Sequence, residues 1–369
     1  MSDRQDAMRE FLARSGWGNA RVTALPGDAS TRRYFRVRDG ARRAMLMDQP
    51  QQAEAPQAPA NATPEERRAL GYNAIARLAG ADCGRFVAAS EFLRARGLSA
   101  PEIYAADLKQ GFVLIEDFGD TLYADVLSRG TDEVPLYSTA VDALARLHLE
   151  SAPAVLPLDR ALHAYDETVL IAETDLMTQW FFPVALGREA DASEAEEHRM
   201  LWRNVLKPVL AAPPVFVHRD YHAQNLLWLP DRKGEARVGV IDFQDAVAGS
   251  TSYDLISLIE DARRDVSAEL AEAMTGRYVA RMEELGRPVN EELYRAQAAI
   301  MAAQRNAKIA GIFARLYKRD SKPRYLDYLP RVWGYLNRDL NHPSLAALKS
   351  WYGKTIPMDA RGKPGGAVA

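Results

Sequence analysis

The sequence predicts an α+β fold of two lobes, in which a small N-terminal lobe contains an antiparallel sheet and a large C-terminal lobe is mostly helical. Three apolar, β-rich runs between residues 21 and 48 are separated by a turn-rich loop and a hairpin turn, which favours antiparallel strands. From Leu136 onward, apolar residues recur at the spacing of amphipathic helices. Because 369 residues suffice for two domains, we assign 1–118 to the small lobe, 119–358 to the large lobe and 359–369 to a flexible tail.

The small lobe is expected to begin with an amphipathic helix at residues 3–15, followed by the three strands. Asp39-Gly40 is a hairpin signal between the second and third strands, because both residue types tolerate the positive φ of a tight turn. The first two strands are joined by the loop 26–31, whose backbone amides are accessible because its side chains are small. A plain hairpin loop is the alternative interpretation of that segment.

An irregular stretch and two helices are predicted after the third strand. Residues 49–62 are rich in Gln, Ala, Pro and Glu, a composition that favours a mobile surface segment. Thr-Pro-Glu-Glu at 63–66 has the pattern of a helix start, with Thr as N-cap and Pro in the first helical position, and predicts a helix to about Leu78. A second helix is expected over residues 82–96, where Gly97 ends it.

Two further strands, at 102–105 and 111–116, complete the predicted sheet. The second of them runs into the glycine-containing connector 117–120, at which we expect the chain to pass into the large lobe. The helices predicted in the large lobe lie at residues 138–149, 168–182, 189–210, 255–261, 268–284, 291–316 and 325–340.

Composition and charge argue against several classes of protein. Lys plus Arg total 47 and Asp plus Glu total 50, so the net charge of −3 gives no support for binding to nucleic acid or to a membrane surface. No apolar run approaches the roughly 18 residues of a membrane span, and the N-terminal segment lacks the apolar core of a signal peptide. The single cysteine, Cys83, has no partner for an internal disulfide. We expect a cytoplasmic protein, and the sequence leaves its oligomeric state open.

The residues that carry chemistry are concentrated in two consecutive apolar runs. Residues 215–229 contain His-Arg-Asp at 218–220 and an Asn five residues after the Asp, and the next run contains Ile-Asp-Phe, whose Asp lies seventeen residues after that Asn. This order and spacing is the layout of a kinase catalytic centre. Phosphoryl transfer needs a carboxylate that orients the acceptor hydroxyl, assigned to Asp220, and oxygen ligands for Mg2+, assigned to Asn225 and Asp242. A turn or a cap is the alternative role for each acidic residue taken alone.

A kinase of this layout needs a nucleotide site between its lobes. We expect ATP as the phosphoryl donor, with its phosphates covered by the backbone amides of the loop 26–31. The end of the fifth strand would face the adenine, where the backbone of Glu116 and Phe118 supplies one acceptor and one donor. The loop residues assigned to nucleotide binding are Gly27, Ala29, Ser30 and Thr31.

The two catalytic segments also carry a family resemblance. His-Arg-Asp-Tyr-His-Ala-Gln-Asn-Leu-Leu at 218–227 resembles the catalytic motif of the aminoglycoside phosphotransferase and choline kinase family, and Ile-Asp-Phe-Gln-Asp-Ala at 241–246 resembles its metal-binding motif. Gly-Ser-Thr-Ser-Tyr-Asp-Leu at 249–255 is similar to the helix start that follows it, with Asp254 matching the aspartate that supports the catalytic loop. The resemblance covers about residues 20–340 and implies a bilobal, protein-kinase-like fold.

The runs 27–37 and 242–266 are similar to a bacterial branch of this family that acts on amino sugars. This resemblance implies ATP-dependent phosphorylation of the anomeric C1 hydroxyl of N-acetylmuramate and N-acetylglucosamine, in the recycling of cell-wall peptidoglycan. Relative to the family, residues 51–81 look like an insertion. The alternatives are a kinase for another small-molecule hydroxyl, such as an aminoglycoside or an amino alcohol, and a catalytically weak nucleotide-binding protein.

One departure from the family's pattern concerns the lysine that binds the nucleotide phosphates. The third strand contains no lysine, and Met45 or Met47 occupies the expected place. The second of the predicted helices carries Glu91 where a kinase places the ion-pair partner of that lysine. Backbone amides and Mg2+ alone could take over the role of this lysine at the phosphates. The arginines that could instead supply positive charge there are Arg32, Arg33 and Arg36.

The acceptor site is less clearly marked in the sequence. His222 and Asp245 flank the catalytic residues and are our candidates for contacts with sugar hydroxyls, with bracing of the loop as the alternative. N-acetylmuramate is anionic through its lactyl group and would favour a cationic or neutral site. Among the large-lobe cations on plausible helix faces we assign Arg305 to substrate binding, with solvated surface as the alternative. The cations considered are Arg263, Arg264, Arg305 and Lys308.

Overall fold

The computed structural model of the chain describes residues 2–26, 32–50, 62–76, 80 and 82–362. Several predicted features lie outside these ranges, namely Gly27, Ala29, Ser30 and Thr31 of the phosphate loop, residues 51–61 of the insertion, and residues 363–369 of the tail. None of the helices in the described ranges has the length and apolar character needed to cross a membrane.

The strands of the small lobe are β1 (Arg21–Ala24), β2 (Arg33–Asp39), β3 (Arg42–Asp48), β4 (Ile103–Asp107) and β5 (Phe112–Ile115). They form the predicted antiparallel sheet, with the spatial order β1-β2-β3-β5-β4. The hairpin predicted at Asp39-Gly40 joins β2 to β3, and Gly40 adopts a φ of +60° in the turn. Local turn chemistry therefore sets the register of this pair, as the sequence indicated.

Alternation along the strands gives the sheet two different faces. Val37 and Leu46 lie on the outer face, where they pack with helix α1 (Ser2–Arg14). The inner face carries Arg36 and Met45, which are cross-strand neighbours and line the cleft between the lobes. Because successive side chains point to opposite faces, one strand pair contributes both to the packing under α1 and to the wall of the cleft.

Between β3 and β4 lie the helices α2 (Pro64–Ala69), α3 (Tyr72–Ala76) and α4 (Cys83–Ala95). The prediction of one continuous helix over residues 63–78 is wrong, because Gly71 adopts a φ of +84° and separates α2 from α3. α4 agrees with its prediction. Asp82 caps its start by accepting a hydrogen bond from Gly84 N at 2.9 Å, and Gly97, with a φ of +80°, follows its end.

The helices of the large lobe are α5 (Tyr123–Ser128), α6 (Glu133–Leu147), α7 (Glu167–Leu176), α8 (Phe182–Ala185), α9 (Ala192–Leu210), α10 (Tyr253–Ile259), α11 (Ala268–Glu284), α12 (Glu291–Asp320), α13 (Leu329–Asp339) and α14 (Ala346–Thr355). The helix predicted over 168–182 is interrupted by a π-turn at Met177–Phe181, which joins α7 to α8. α11 has the predicted bounds, α12 extends beyond its predicted end, and α5 and α14 were not predicted.

Part of the predicted flexible tail is structured. Met358–Arg361 form a 3-10 turn, and the Arg361 guanidinium donates to the Tyr352 carbonyl at 2.7 Å and to Asn337 Oδ1 at 2.8 Å. Arg361, within the tail predicted from residue 359, is thus hydrogen-bonded to α13 and α14.

Short antiparallel ladders carry the predicted catalytic segments. Their strands, which follow β6 (Val155–Leu156) and β7 (Arg160–Ala161), are β8 (Val215–Val217), β9 (Leu226–Trp228), β10 (Val238–Val240) and β11 (Val247–Gly249). β8 pairs with β11 and β9 with β10. Leu226 and Phe243 belong to a buried cluster that also contains Met47 and Val113 of the small-lobe sheet. The same core therefore supports the catalytic segments and the inner face of the sheet.

Candidate active site

The predicted catalytic loop lies between β8 and β9 and is held at its start by a buried carboxylate. Asp254 Oδ2 accepts a hydrogen bond from His218 N at 2.6 Å, and Oδ1 accepts one from Arg219 N at 2.9 Å. Burial raises the pKa of Asp254 to about 6, against the effect of these two donors. Arg219 has a φ of +77°, a conformation that a residue with a Cβ adopts only where its surroundings impose it. The two hydrogen bonds fix the turn that presents Asp220.

The His218 ring ties the same loop to the end of β10. Its Nε2 donates to the Ile241 carbonyl at 2.9 Å, while its Nδ1 accepts from Asp220 N at 3.2 Å. This pairing assigns the ring proton to Nε2, because Nδ1 faces a backbone donor. His218 thus brings the start of the catalytic loop against the strand that precedes Asp242.

Asn225 and Asp242 are brought together by the pairing of β9 with β10. Beyond the last paired residues, Ile241 N donates to the Asn225 carbonyl at 3.1 Å, so Asp242 follows directly. The Asn225 amide group donates to the Asp220 carbonyl at 2.9 Å, which leaves its oxygen as the group suited to a cation. Asp220, Asn225 and Asp242 all line one cleft of about 1070 Å³. The structure therefore brings the three predicted catalytic and metal residues into one site.

The Asp220 side chain opens into the cleft and lies among positive charges. Burial of the cleft floor acts to raise the pKa of Asp220, but the charge of Lys308, followed by smaller contributions that include Arg219, outweighs it and lowers the pKa to about 2. Asp220 is therefore ionised at neutral pH, and its carboxylate can only accept hydrogen bonds.

A buried charge cluster behind the catalytic loop connects it to α7 and α12. Glu173 has no exposed surface, and its Oε1 lies 3.0 Å from both Arg219 Nη2 and Lys308 Nζ. Its Oε2 accepts from Gln304 Nε2 at 3.0 Å and from the Tyr165 hydroxyl. Burial acts to raise the pKa of Glu173, but the charges of Lys308 and Arg219 prevail and lower it. The cluster holds Arg219 and Lys308 in place beside Asp220.

Sequence reasoning missed Glu173. The available signal was an acidic residue on the apolar stripe of α7, four residues after Val169 and three after Leu170, both of which are buried. A charged residue in such a stripe requires a partner. Its partners, Arg219 and Lys308, are distant in the sequence, so the pattern within α7 could not identify them.

The small-lobe side of the cleft contains the arginines predicted to contact the nucleotide. Arg32 Nη1 lies 3.4 Å from Asp242 Oδ1, and Arg33 is exposed at the cleft. Arg36 is engaged with the connector between the lobes, since its Nε lies 3.0 Å from Asp117 Oδ2. Of these three cations, Arg32 approaches the predicted metal ligand most directly.

Glu116 and Phe118 also line the cleft, at its connector end. Glu116 N donates to the Glu102 carbonyl at 2.8 Å, and the Glu116 carboxylate pairs with Arg232. Glu91, in contrast, is exposed on α4, and among the described residues it has neither an ion pair nor a place in the cleft lining. The ion pair between a strand lysine and a helix glutamate is therefore absent from the part of the small lobe that the structure describes.

Two of the predicted acceptor residues lie beside the catalytic loop. His222 is buried, and its Nδ1 accepts from Gln224 N at 3.3 Å. Burial lowers the pKa of His222 to about 4, so the ring is neutral near pH 7 and carries its proton on Nε2. Asp245 is half-buried in the cleft wall, where its carbonyl accepts from Arg219 Nη1 at 3.4 Å.

Arg305, the third predicted acceptor residue, lies in the wall of the cleft with little exposure. Its Nη1 donates to the Glu260 carbonyl at 3.1 Å, and its Nη2 donates to Ser257 Oγ at 3.0 Å. Both terminal nitrogens therefore have protein partners, and the residue connects α12 to the end of α10.

The donor set at Asn225 and Asp242 fits a magnesium ion, which these two side chains would hold. Both side chains offer hard oxygen donors, and the Arg32 guanidinium beside Asp242 shows that a positive charge is accommodated there. Gln244 Nε2 donates to Asp242 Oδ1 at 2.9 Å and so orients the carboxylate. Within the described ranges there is no group of three or more His, Cys, Asp or Glu side chains that could hold a metal ion.

The two lobes and the composition of the cleft are those of a phosphotransferase, and comparison with known families agrees. The model of the phosphotransferase enzyme family matches residues 21–289, and the chain belongs to this family. That range includes the small-lobe sheet, the catalytic loop and both predicted metal ligands. The family predicted from the motifs is thereby confirmed.

Three curated relatives have the same name, N-acetylmuramate/N-acetylglucosamine kinase. The protein from Caulobacter vibrioides is 44% identical over 98% of this chain and 99% of its own length. The protein from Pseudomonas aeruginosa is 34% identical over 92% of this chain and 90% of its own length. The protein from Pseudomonas putida is 31% identical over 93% of this chain and 91% of its own length.

Solved structures confirm the predicted bilobal, protein-kinase-like fold. A choline/ethanolamine kinase family protein from Mesorhizobium loti matches with a TM-score of 0.53 at 15% identity, covering 94% of this chain and 99% of the other. The ADP-bound aminoglycoside phosphotransferase APH(2'')-Ib matches with a TM-score of 0.55 at 13% identity, and the match covers 93% of this chain and 99% of the other. Such low identities bear on the fold alone.

Proposed function

We propose that the chain is a kinase that transfers the γ-phosphoryl group of ATP to the anomeric C1 hydroxyl of N-acetylmuramate and N-acetylglucosamine, with Mg2+ as the metal. The observation that carries this proposal is the 44% identity to the Caulobacter vibrioides kinase over 98% of the chain. The convergence of Asp220, Asn225 and Asp242 in one cleft supports it. The product would enter the recycling of peptidoglycan sugars.

In the proposed reaction, Asp220 accepts a hydrogen bond from the acceptor hydroxyl and orients it for attack on the phosphorus atom. The low pKa of Asp220 makes it a weak base, so its main contribution is positioning. A hemiacetal hydroxyl is more acidic than an ordinary alcohol and suits such a base. Asn225 and Asp242 are the residues that would hold Mg2+, whose chemistry here is neutralisation of charge on the phosphate oxygens.

Arg32 is our candidate for the positive charge that the strand lysine supplies in other kinases. Met45, on the inner face of β3, cannot contribute charge, whereas Arg32 is 3.4 Å from Asp242 and so within reach of phosphates bound at that metal site. A guanidinium group suits this role because its N–H groups match phosphate oxygens in pairs.

The rest of the nucleotide site is assigned to the small lobe and the connector. Because Glu116 N is bonded within the sheet, we assign the Glu116 carbonyl and the Phe118 N–H to the adenine. Arg33 is assigned to the phosphates from its exposed position at the cleft. The backbone amides assigned to the phosphates are those of Gly27, Ala29, Ser30 and Thr31.

On the acceptor side, His222 and Asp245 are assigned to the sugar hydroxyls, since both lie in the cleft beside Asp220. The neutral His222 ring offers an Nε2 donor, and Asp245 offers carboxylate oxygens. Arg305 is assigned to the sugar site as a wall residue, because its hydrogen bonds hold it in place. The partner of the protein is thus a small amino sugar, and we propose a cytoplasmic enzyme divided near residue 118 into its two lobes.

Turnover on a panel of acceptors tests the proposal. The purified protein is incubated with ATP, MgCl2 and each acceptor, and release of ADP is followed. We expect turnover with N-acetylglucosamine and N-acetylmuramate and none with kanamycin or choline. Turnover with kanamycin or choline alone would select a different small-molecule kinase. Nucleotide binding without turnover on any acceptor would select the catalytically weak binding protein.

Asp220→Asn tests the role of the carboxylate. We expect kcat to fall at least about 100-fold, the lower range for a positioned acid–base group, while the affinity for MgADP is preserved. The matched control is Asp231→Asn, the same chemical change at an exposed position outside the cleft, which should keep the parent kcat. A near-normal kcat for Asp220→Asn would reject its role.

A further inference from the structure

The large-lobe wall of the cleft carries several positively charged side chains, and most of them are held by protein groups. Arg219 and Lys308 pair with Glu173, and Arg305 donates through both of its terminal nitrogens. Arg263 also lines the cleft, half-buried, and none of the described residues forms a hydrogen bond or an ion pair with its guanidinium group. Its charge is therefore available to a ligand in the cleft.

The segment between α10 and α11 positions Arg263 firmly. Asp261 Oδ1 accepts a hydrogen bond from Arg263 N at 2.8 Å. The next two residues are tied to other helices, since Arg264 pairs with α6 at 2.7 Å and Asp265 pairs with α13 at 3.0 Å. These contacts fix the backbone on both sides of Arg263. A cation held in this way loses little conformational freedom in its backbone when a ligand binds.

Arg263 lies on the acceptor side of the site. It lies three residues after Glu260, whose carbonyl accepts a hydrogen bond from Arg305 of the acceptor wall at 3.1 Å, and it lines the same cleft as His222. His222 lies two residues after Asp220, on the loop that presents the carboxylate to the cleft. The nucleotide candidates, in contrast, are on the small lobe and the connector. A ligand of Arg263 would therefore belong to the acceptor and not to the nucleotide.

We infer that Arg263 binds the carboxylate of an anionic acceptor sugar and so determines how well the enzyme accepts it. This inference rests on the proposed function and makes it more specific. N-acetylmuramate and N-acetylglucosamine share the reacting C1 hydroxyl, but only the former carries a lactyl carboxylate, attached at C3. A guanidinium group forms paired, charge-assisted hydrogen bonds with a carboxylate, which a sugar hydroxyl cannot reproduce. Arg263 is thus a specificity residue for one of the two substrates.

Arg263→Gln tests this inference with the two sugars compared on the same enzyme. We expect the KM for N-acetylmuramate to rise at least about tenfold, because a charge-assisted hydrogen bond is lost, with kcat within about twofold. The KM for N-acetylglucosamine should stay within about twofold of the parent value. Arg263→Lys should recover part of the affinity for N-acetylmuramate, because it keeps the charge but not the paired geometry.

The matched control is Arg277→Gln, which removes the same charge from an exposed residue of α11 outside the cleft lining and should leave the ratio of the two KM values unchanged. Calorimetric titration of each sugar without nucleotide gives the same comparison in the absence of turnover. An equal change for both sugars, or no change for either, would overturn the inference while the proposed function stands. If the parent enzyme phosphorylates neither sugar, the proposed function fails, and the inference fails with it.

Discussion

The buried charge of Glu173 offers a direct test of what holds the catalytic loop against the large lobe. Glu173→Gln keeps the shape of the side chain but removes the negative charge that faces Arg219 and Lys308, each 3.0 Å away. Glu173 is 0% exposed and the two cations are 7% and 10% exposed, so water cannot replace the lost interaction. Removing one partner of a buried ion pair costs about 3–5 kcal/mol, and we expect the free energy of unfolding to fall by that amount.

Urea unfolding followed by circular dichroism measures this loss. The matched control is Glu291→Gln, because Glu291 pairs with Arg295 at 2.8 Å with side chains 55% and 35% exposed. An exposed helical pair of this kind contributes about 0.3–0.5 kcal/mol. If Glu173→Gln destabilises the protein no more than Glu291→Gln, the cluster does not stabilise the fold and the reasoning is refuted.

A double-mutant cycle separates the interaction itself from other effects of the substitution. Lys308→Met, added to Glu173→Gln, removes one of the two positive charges that the first substitution leaves without a partner. We expect the double variant to be more stable than the sum of the single losses predicts, by about 0.5–3 kcal/mol. Additive losses would show that Glu173 and Lys308 do not interact energetically.

Two further outcomes follow from the small lobe and from the core. Arg32→Gln should raise the Kd of MgADP at least about tenfold by calorimetry, because a charge-assisted contact with phosphate is lost. The control is Arg38→Gln, since Arg38 is exposed on β2 outside the cleft and its loss should leave this Kd unchanged. Equal affinities of the two variants for MgADP would contradict the assignment of Arg32. The free energy of unfolding should fall as the pH is lowered from 7 to 5. Burial lowers the pKa of His148 and His198 to about 3, so they stay neutral in the fold but bind protons in the unfolded chain below about pH 6.5. Below about pH 6.5 each adds a slope of about 1.4 kcal/mol per pH unit, and Asp254, whose raised pKa of about 6 lets it bind a proton in the fold, offsets part of the sum. A flat profile from urea unfolding would contradict this.

The convergence of the predicted catalytic and metal residues was foreseeable because its signal is local. Asp220 and Asn225 stand in one motif between two apolar runs, and Asp242 ends the next run, so strand pairing alone brings them together. The hairpin between β2 and β3 was predictable for the same reason, since Gly40 adopts the positive φ of the turn directly after Asp39, the last residue of β2. Signals of this kind require no knowledge of distant segments.

The sequence did not predict the backbone conformations and contacts that distant segments impose. Arg219 and Asp242 adopt φ values of +77° and +66°, a conformation that residues with a Cβ seldom adopt. For Arg219, the cause is the hydrogen bond from its backbone to Asp254, which lies thirty-five residues further along the chain. Gly71 shows a failure with a local cause. Its positive φ divides into α2 and α3 a helix that the surrounding sequence predicted to be continuous.

A single glycine in α12 explains how the buried charge cluster can form at all. Gly311 lies inside this long helix, where glycine is unfavourable unless packing requires it. A Cβ at this position would lie 2.5 Å from the Leu176 carbonyl carbon, at the point where α7 ends and the π-turn begins. Gly311 therefore permits α12 to contact the α7 backbone directly. Lys308 lies three residues earlier, on the same side of α12, and this close approach brings its ammonium group to Glu173 and, through the cleft, within electrostatic range of Asp220.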